Sequence, residues 1–171
     1  MSERLHARIS AGAYVPGFTP RLAAALLGSA AALTLVPAPF GYAGAAFAIL
    51  GGIFPGALGT WACALVIALA QLARVPSAAD WHPYATLATV HLLHVIGSLS
   101  IVVAPGGVLQ LRALRPPMLG WLAIQVPAQA VLAVALLVTS SGVPALPLPG
   151  LFAAFAAACV ALLVVLVIRR R

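Results

Sequence analysis

The chain has 171 residues, of which 64% are hydrophobic and 6% are charged, and its mean hydropathy is +1.15. A water-soluble domain needs a larger polar shell, so this composition excludes a soluble globular protein and predicts lipid as the main solvent. The net charge of +7 comes from scattered arginines, most of which flank apolar runs. That pattern favours orientation in a membrane over nucleic-acid binding.

Six apolar runs, divided by prolines, glycines or charges, predict an all-α, polytopic transmembrane helix bundle. The last three runs match the roughly 20 residues that a helix needs to cross the hydrocarbon core, whereas the first two are only about 15 long. The dividing prolines could instead kink longer helices, because membrane helices tolerate proline. The predicted spans are 22–36, 40–54, 57–73, 85–103, 118–139 and 151–168, in a transmembrane domain (21–168) between a basic cytoplasmic tail (1–20) and a basic cytoplasmic end (169–171).

Charge placement predicts the side on which each loop lies. With six spans, eight of the nine arginines fall on one face and Arg74 alone falls on the other. Arginine-rich loops of membrane proteins stay in the cytoplasm. We therefore expect a multi-pass protein of the cell membrane with both termini cytoplasmic. The eight residues are Arg4, Arg8, Arg21, Arg112, Arg115, Arg169, Arg170 and Arg171.

Polar side chains interrupt the fourth and fifth spans at similar depths. His91, His94 and Ser98 share one stripe of the fourth span, because they are three or four residues apart. Gln125 and Gln129 share a face of the fifth, with Gln129 near the level of His94 and Gln125 nearer that of Ser98. Consecutive helices usually pack side by side. We therefore predict an intramembrane polar seam of these five residues, in which Pro127 frees the carbonyl of Ala123 for a further donor.

Several roles are open to this predicted polar seam. Neutral His, Gln and Ser can hydrogen-bond between membrane helices, which is a structural role. A proton or polar-solute path is the main alternative, because histidine changes charge near neutral pH. A haem or metal site through His91 and His94 is a weaker one, since neither spacing is a known signature. A catalytic Ser98–His94 pair lacks a carboxylate to orient the histidine. We therefore expect no catalytic residue, no metal and no cofactor.

Two further features concern packing and lipid contact. Ala24, Gly28 and Ala32 form a row of small residues that lets helices approach closely. Arg112 and Arg115, in the loop before the fifth span, are expected to reach lipid phosphates. The same role is expected at the C-terminal end, for Arg169, Arg170 and Arg171.

The stretches "FGYAGAAFAILGGIFPG", "HLLHVIGSL" and "QVPAQ" complete the sequence evidence. With them, the chain resembles small, uncharacterised integral membrane proteins of actinobacteria, to which no activity attaches. In size, span count and terminal orientation it also looks like the substrate-binding subunits of energy-coupling-factor vitamin importers, whose long capping loop after the first span is missing here.

Two functional classes follow from these observations. The first is a non-enzymatic accessory or scaffold subunit of a larger membrane assembly, whose partners are the bilayer and other membrane subunits. The second is a transport component, either a proton or ion path or a small-solute-binding subunit. A haem-bearing redox subunit is a more remote third.

Overall fold

Apolar runs form five helices in the part of the chain that the structure, a computed structural model, describes: residues 12–75 and 77–140. The all-α class is confirmed for these residues, with two very short strands added. The sixth predicted span, 151–168, lies outside them. The elements in chain order are β1 (Tyr14–Pro16), α1 (Thr19–Leu35), α2 (Phe40–Ile53), a 3-10 turn (Pro55–Ala57), α3 (Gly59–Leu72), α4 (His82–Val102), β2 (Val108–Gln110) and α5 (Leu111–Ser140).

Helix length limits which of these elements can cross a bilayer. Within the described residues, α4 with 21 residues and α5 with 30 are long and apolar enough to do so, by length and composition alone. The helices α1, α2 and α3 have 17, 14 and 14 residues. At about 1.5 Å per residue, a 14-residue helix reaches about 21 Å, whereas the hydrocarbon core is about 30 Å thick. Of the six predicted spans, two therefore correspond to helices long and apolar enough to cross a membrane, and the first three correspond to helices shorter than a full crossing.

Prolines set the boundaries of the first two helices. Pro20 lies in the first turn of α1, where its missing N–H has no helical partner to lose. The helix ends before Pro37, since a residue that precedes proline is driven out of the helical region, and Val36 is extended. Phe40 begins α2 directly after Pro39. The segment 36–39 therefore separates two helices and is not a kink within one.

Small residues line the contact between α1 and α2. Ala24 and Ala32 are completely buried, and Gly28 is buried between them. A Cβ atom added at Gly28 would lie 2.7 Å from the Cβ of Ala48, and one added at Gly44 would lie 2.9 Å from the Cβ of Ala32. The predicted close approach along this row is confirmed, and it pairs the two helices antiparallel.

The bundle of α1 to α4 has a small-residue interior and a large-residue exterior. Neighbouring helices are packed against each other, and α1 also contacts α3 and α4. Ile67 and Leu93 are the largest apolar side chains that are fully buried among the described residues. Large side chains such as Leu26, Phe40, Ile53 and Leu72 lie on the outside. This distribution is opposite to that of a water-soluble bundle and is expected where outer faces contact lipid.

The helix α5 packs on the bundle chiefly through α4. Only Gln125 and Leu136 of its residues are buried. It begins at Leu111, seven residues before the predicted span, so the segment that was expected to be a loop is helical. Pro116 and Pro117 are accommodated because the carbonyls they leave free, four residues earlier, lie in the exposed first turn.

A short antiparallel ladder, which the sequence did not predict, connects the N-terminal segment to the α4–α5 connection. β1 pairs with β2 so that Val15 faces Leu109, and Gly17 N donates to the carbonyl of Gly107 at 2.8 Å. The ladder brings the starts of α1 and α5 to one end of the bundle. Arg21, Arg112 and Arg115 therefore share that end, while Arg74 follows α3 at the opposite end.

Candidate functional site

His91 and Gln125 form the central polar contact between α4 and α5. The Nδ1 atom of His91 lies 3.1 Å from Oε1 of Gln125, and Gln125 is 5% exposed. An amide oxygen can only accept, so Nδ1–H of His91 donates and carries the ring proton. In the neutral ring this leaves the Nε2 atom of His91 as an acceptor.

Gln129 adds a second polar bridge one turn further along α5. Its Nε2 atom donates to the backbone carbonyl of Tyr84 at 2.8 Å. A carbonyl oxygen has two lone pairs, so it can accept this bond in addition to its helical one. The two bridges fix the rotation and the register of α5 against α4. We call His91, Trp121, Gln125, Gln129 and the carbonyl of Tyr84 the α4–α5 contact.

The register of the α4–α5 contact differs from the predicted polar seam by about two helical turns, because Ser98 and His91 are seven residues apart on α4. Gln125 was expected nearer the level of Ser98 and instead binds His91. Gln129 was expected near His94 and instead binds at the level of Tyr84. The structure thus brings three of the five predicted residues together, and His94 and Ser98 do not join them.

His94 contacts α3 instead of α5. The indole Nε1–H of Trp61 donates to Nδ1 of His94 at 3.0 Å, and the two rings meet edge to face at 79°. An Nδ1 atom that accepts has no proton, so the ring proton of His94 lies on Nε2. In the neutral rings, Nδ1 therefore carries the proton in His91 and lacks it in His94. His94 is also exposed, which corrects the expectation of a buried position facing glutamines.

The hydroxyl of Ser98 is engaged within its own helix. Its Oγ atom donates to the backbone carbonyl of His94 at 2.8 Å. Serine commonly bonds back to the preceding turn in this way. The geometry therefore leaves Ser98 without the ring contact that a nucleophile activated by His94 would need.

Three buried polar atoms in the α4–α5 contact have no hydrogen-bond partner. They are Nε1 of Trp121, Nε2 of Gln125 and Oε1 of Gln129. The three residues are spaced four apart, so they share one face of α5. The rings of Trp121 and His91 are 6.4 Å apart between centroids and tilted by 49°. Sequence reasoning missed Trp121, although its position four residues before Gln125 placed it on the same face.

The basic residues that were expected at lipid phosphates are placed in part. Arg112 and Arg115 are exposed in the first two turns of α5. Arg169, Arg170 and Arg171 lie outside the described residues. In the portion of the chain that the structure covers, the ion pair joins Asp80 to His82, at the opposite end of the bundle. The guanidinium groups of Arg112 and Arg115 therefore do not share that carboxylate.

The Asp80–His82 pair marks the end of the bundle where α4 begins. The carboxylate accepts from the ring of His82 and, at 3.1 Å, from its backbone N–H. These two bonds, with the side-chain bond the stronger cause, lower the pKa of Asp80 below its ordinary value. The rings of Trp81 and His82 are stacked, with centroids 4.1 Å apart.

Metal-ligating side chains do not converge in the described part of the chain. No group of three or more His, Cys, Asp and Glu residues comes together there. His91 and His94 are bonded to different helices, so their rings are not directed at one point. A haem or metal site through both rings would need a rearrangement of the Trp61 and Gln125 bonds.

No protein-family model, no curated protein and no solved structure matches this chain. The resemblance to small actinobacterial membrane proteins therefore stays a prediction from the sequence.

Proposed function

We propose that the protein is a multi-pass integral membrane protein of the cell membrane and a non-enzymatic accessory or scaffold subunit of a larger membrane assembly. Its exterior of large apolar residues and interior of small ones supports a lipid environment. Arg21, Arg112 and Arg115 at one end support a cytoplasmic position for that end. The bundle of α1 to α4 is then the stable body of the subunit.

The helix α5 is the observation that carries this proposal. It has 30 residues, two of which are buried, and it packs on the bundle chiefly through α4. At about 1.5 Å per residue it is about 45 Å long, more than the hydrocarbon core requires. Among the described residues α5 packs mainly on α4, which leaves much of its surface available to a second protein.

The polar groups support a structural role more than a catalytic one. The side chains of the α4–α5 contact are one imidazole, one indole and two amides, and Gln129 donates to the backbone carbonyl of Tyr84. The described acidic residue, Asp80, lies outside the helices and binds His82. A histidine base would therefore have no carboxylate beside it in this part of the chain.

Position-specific photo-crosslinking in cell membranes tests the proposal. A photoreactive amino acid is placed at Val126 or Val134 on α5, and at Leu26 or Leu33 on α1 as matched controls. These positions are 67%, 60%, 63% and 52% exposed, so each is similarly accessible. We expect one protein adduct of defined mass from the α5 positions and only lipid adducts from α1. Lipid adducts from all four positions, or the same protein adduct from both helices, would contradict a partner on α5.

A polar-solute path is the second candidate, and the unpartnered polar atoms in the α4–α5 contact favour it. A proton path is less well supported there. Protons passing from His91 would have to move through the amides of Gln125 and Gln129, which hold their N–H protons tightly. Solute and proton flux in liposomes distinguish the candidates. Solute flux that His91→Ala abolishes would favour transport, and the absence of both fluxes would remove it.

A further inference from the structure

We propose that two water molecules are bound inside the α4–α5 contact. One bridges Nε2 of Gln125 and Oε1 of Gln129, and the other bridges Nε1 of Trp121 and Nε2 of His91. The inference is independent of whether the protein is a scaffold or a transport subunit, because it concerns only the hydrogen bonds between these two helices.

The first site follows from the amide groups of Gln125 and Gln129. The oxygen of Gln125 accepts from His91 while its nitrogen is buried without a partner. The nitrogen of Gln129 donates to Tyr84 while its oxygen is buried without a partner. The result is one free donor and one free acceptor on the same helical face. Four residues rise about 6 Å along a helix, so the two side chains are neighbours on that face.

Water can pair with both groups because it donates and accepts through one oxygen. A lipid ester carbonyl could accept from Gln125, but it has no proton for the oxygen of Gln129. Direct closure would need the two side chains to break the bonds that they make to α4. Buried water in proteins typically occupies sites of this kind, where otherwise unpaired polar groups face each other.

The second site follows from the protonation of His91. Because Nδ1–H donates to Gln125, the Nε2 atom of the neutral ring is an acceptor. The indole N–H of Trp121 is a buried donor without a partner, and its ring centroid lies 6.4 Å from that of His91. The indole makes no direct hydrogen bond to the imidazole. One water that accepts from the indole N–H of Trp121 and donates to Nε2 of His91 gives each group a hydrogen-bond partner.

With these waters, every hydrogen bond of the α4–α5 contact points in the same direction. The chain runs from the indole of Trp121 through His91, Gln125 and Gln129 to the carbonyl of Tyr84. Each group donates to the next one, so the bonds polarise one another cooperatively. Such a chain holds His91 in a single tautomer, which is a measurable property.

Nuclear magnetic resonance on the full-length, isotopically labelled protein in deuterated-lipid nanodiscs tests the proposal. We expect cross-relaxation between water and the indole N–H of Trp121, and between water and the side-chain amide of Gln125. The matched control is Trp61, whose indole N–H already donates to His94 and should show no bound-water peak. Gln129→Leu should remove the peak at Gln125 and retain the one at Trp121.

Each remaining outcome overturns the proposal. If either Trp121 or Gln125 lacks a water peak in the unaltered protein, the site beside that residue is not hydrated and the two-water proposal is wrong. If, in nanodiscs of protonated lipid, the same protons show peaks to lipid chains in place of water, lipid occupies the contact. If Gln129→Leu leaves the Gln125 peak unchanged, the bridge between the two amides is wrong. The first two outcomes are read from the unaltered protein, so they do not depend on whether a variant folds.

Discussion

A methyl group added at Gly51 should destabilise the junction between α2 and α3. A Cβ atom there would lie 2.3 Å from the backbone N of Thr60 and 2.6 Å from its Oγ1, and 2.9 Å from the carbonyl carbon of Gly59. Two of these neighbours are backbone atoms, which no change of rotamer can move. Overpacking of this kind costs about 1–3 kcal/mol, and alanine regains about 0.5–1 kcal/mol over glycine in a helix. Because the neighbouring backbone cannot move aside, we take the upper end of the overpacking cost, about 3 kcal/mol, and subtract a gain of about 1 kcal/mol from helix propensity. We therefore expect Gly51→Ala to lower the free energy of unfolding by about 2 kcal/mol.

Thermal unfolding in detergent, followed by circular dichroism, measures the effect. For a chain of this size, about 2 kcal/mol corresponds to a fall in Tm of about 4–8 °C. Gly120→Ala is the matched control, because Gly120 also lies inside a helix but a Cβ there would meet nothing within 4 Å. That variant should gain about 0.5–1 kcal/mol from helix propensity alone. If both variants raised Tm by the same amount, the close approach of α2 and α3 at Gly51 would be refuted.

Two further predictions concern the histidines and the Asp80 carboxylate. Trp61→Phe should remove the hydrogen-bond donor to Nδ1 of His94, so the ¹⁵N shifts of that ring should change from those of one tautomer to those of a mixture. The ¹⁵N shifts of His91, whose ring is held by α5, should stay unchanged. A change in the shifts of His91 alone would contradict the assignment. The lowered pKa of Asp80 means that its contribution to stability is present above its ordinary pKa of about 4 and is lost as the pH falls through the lowered value. Amide exchange in the first turn of α4, corrected for intrinsic rates, should accelerate on acidification in the unaltered protein but not in Asp80→Asn, and equal acceleration in both would argue against the bond to His82.

Helix positions could be predicted because local signals determine them. Pro37 and Pro39 separate the first two helices, and the apolar runs between the dividing residues give the rest to within a few residues, except at the start of α5. The ladder of β1 and β2 could not be predicted from local signals. Its strands have three residues each, and Val15 pairs with Leu109 only because the bundle brings distant segments together.

The register of the polar residues was missed for a specific reason. The sequence predicts a loop over residues 111–117, because prolines such as Pro116 and Pro117 usually end helices. The structure begins α5 at Leu111, seven residues before the predicted start, and this difference corresponds to about two helical turns. Gln125 therefore reaches His91 and not Ser98. The orientation of His94 towards Trp61 depends on the rotation of α4 within the bundle, which neighbouring helices determine.

The small-residue interior has a consequence for how this protein tolerates change. In a water-soluble bundle, interior positions accept other aliphatic residues of similar volume, and the outside accepts almost any polar one. Here a Cβ atom added at Gly28, Gly44 or Gly51 would lie within 3 Å of a backbone or Cβ atom of a neighbouring helix. A complete substitution scan should therefore give the reverse pattern of tolerated residues. Interior positions should tolerate almost no residue larger than the native one, and outer positions should tolerate most apolar residues but few charged ones.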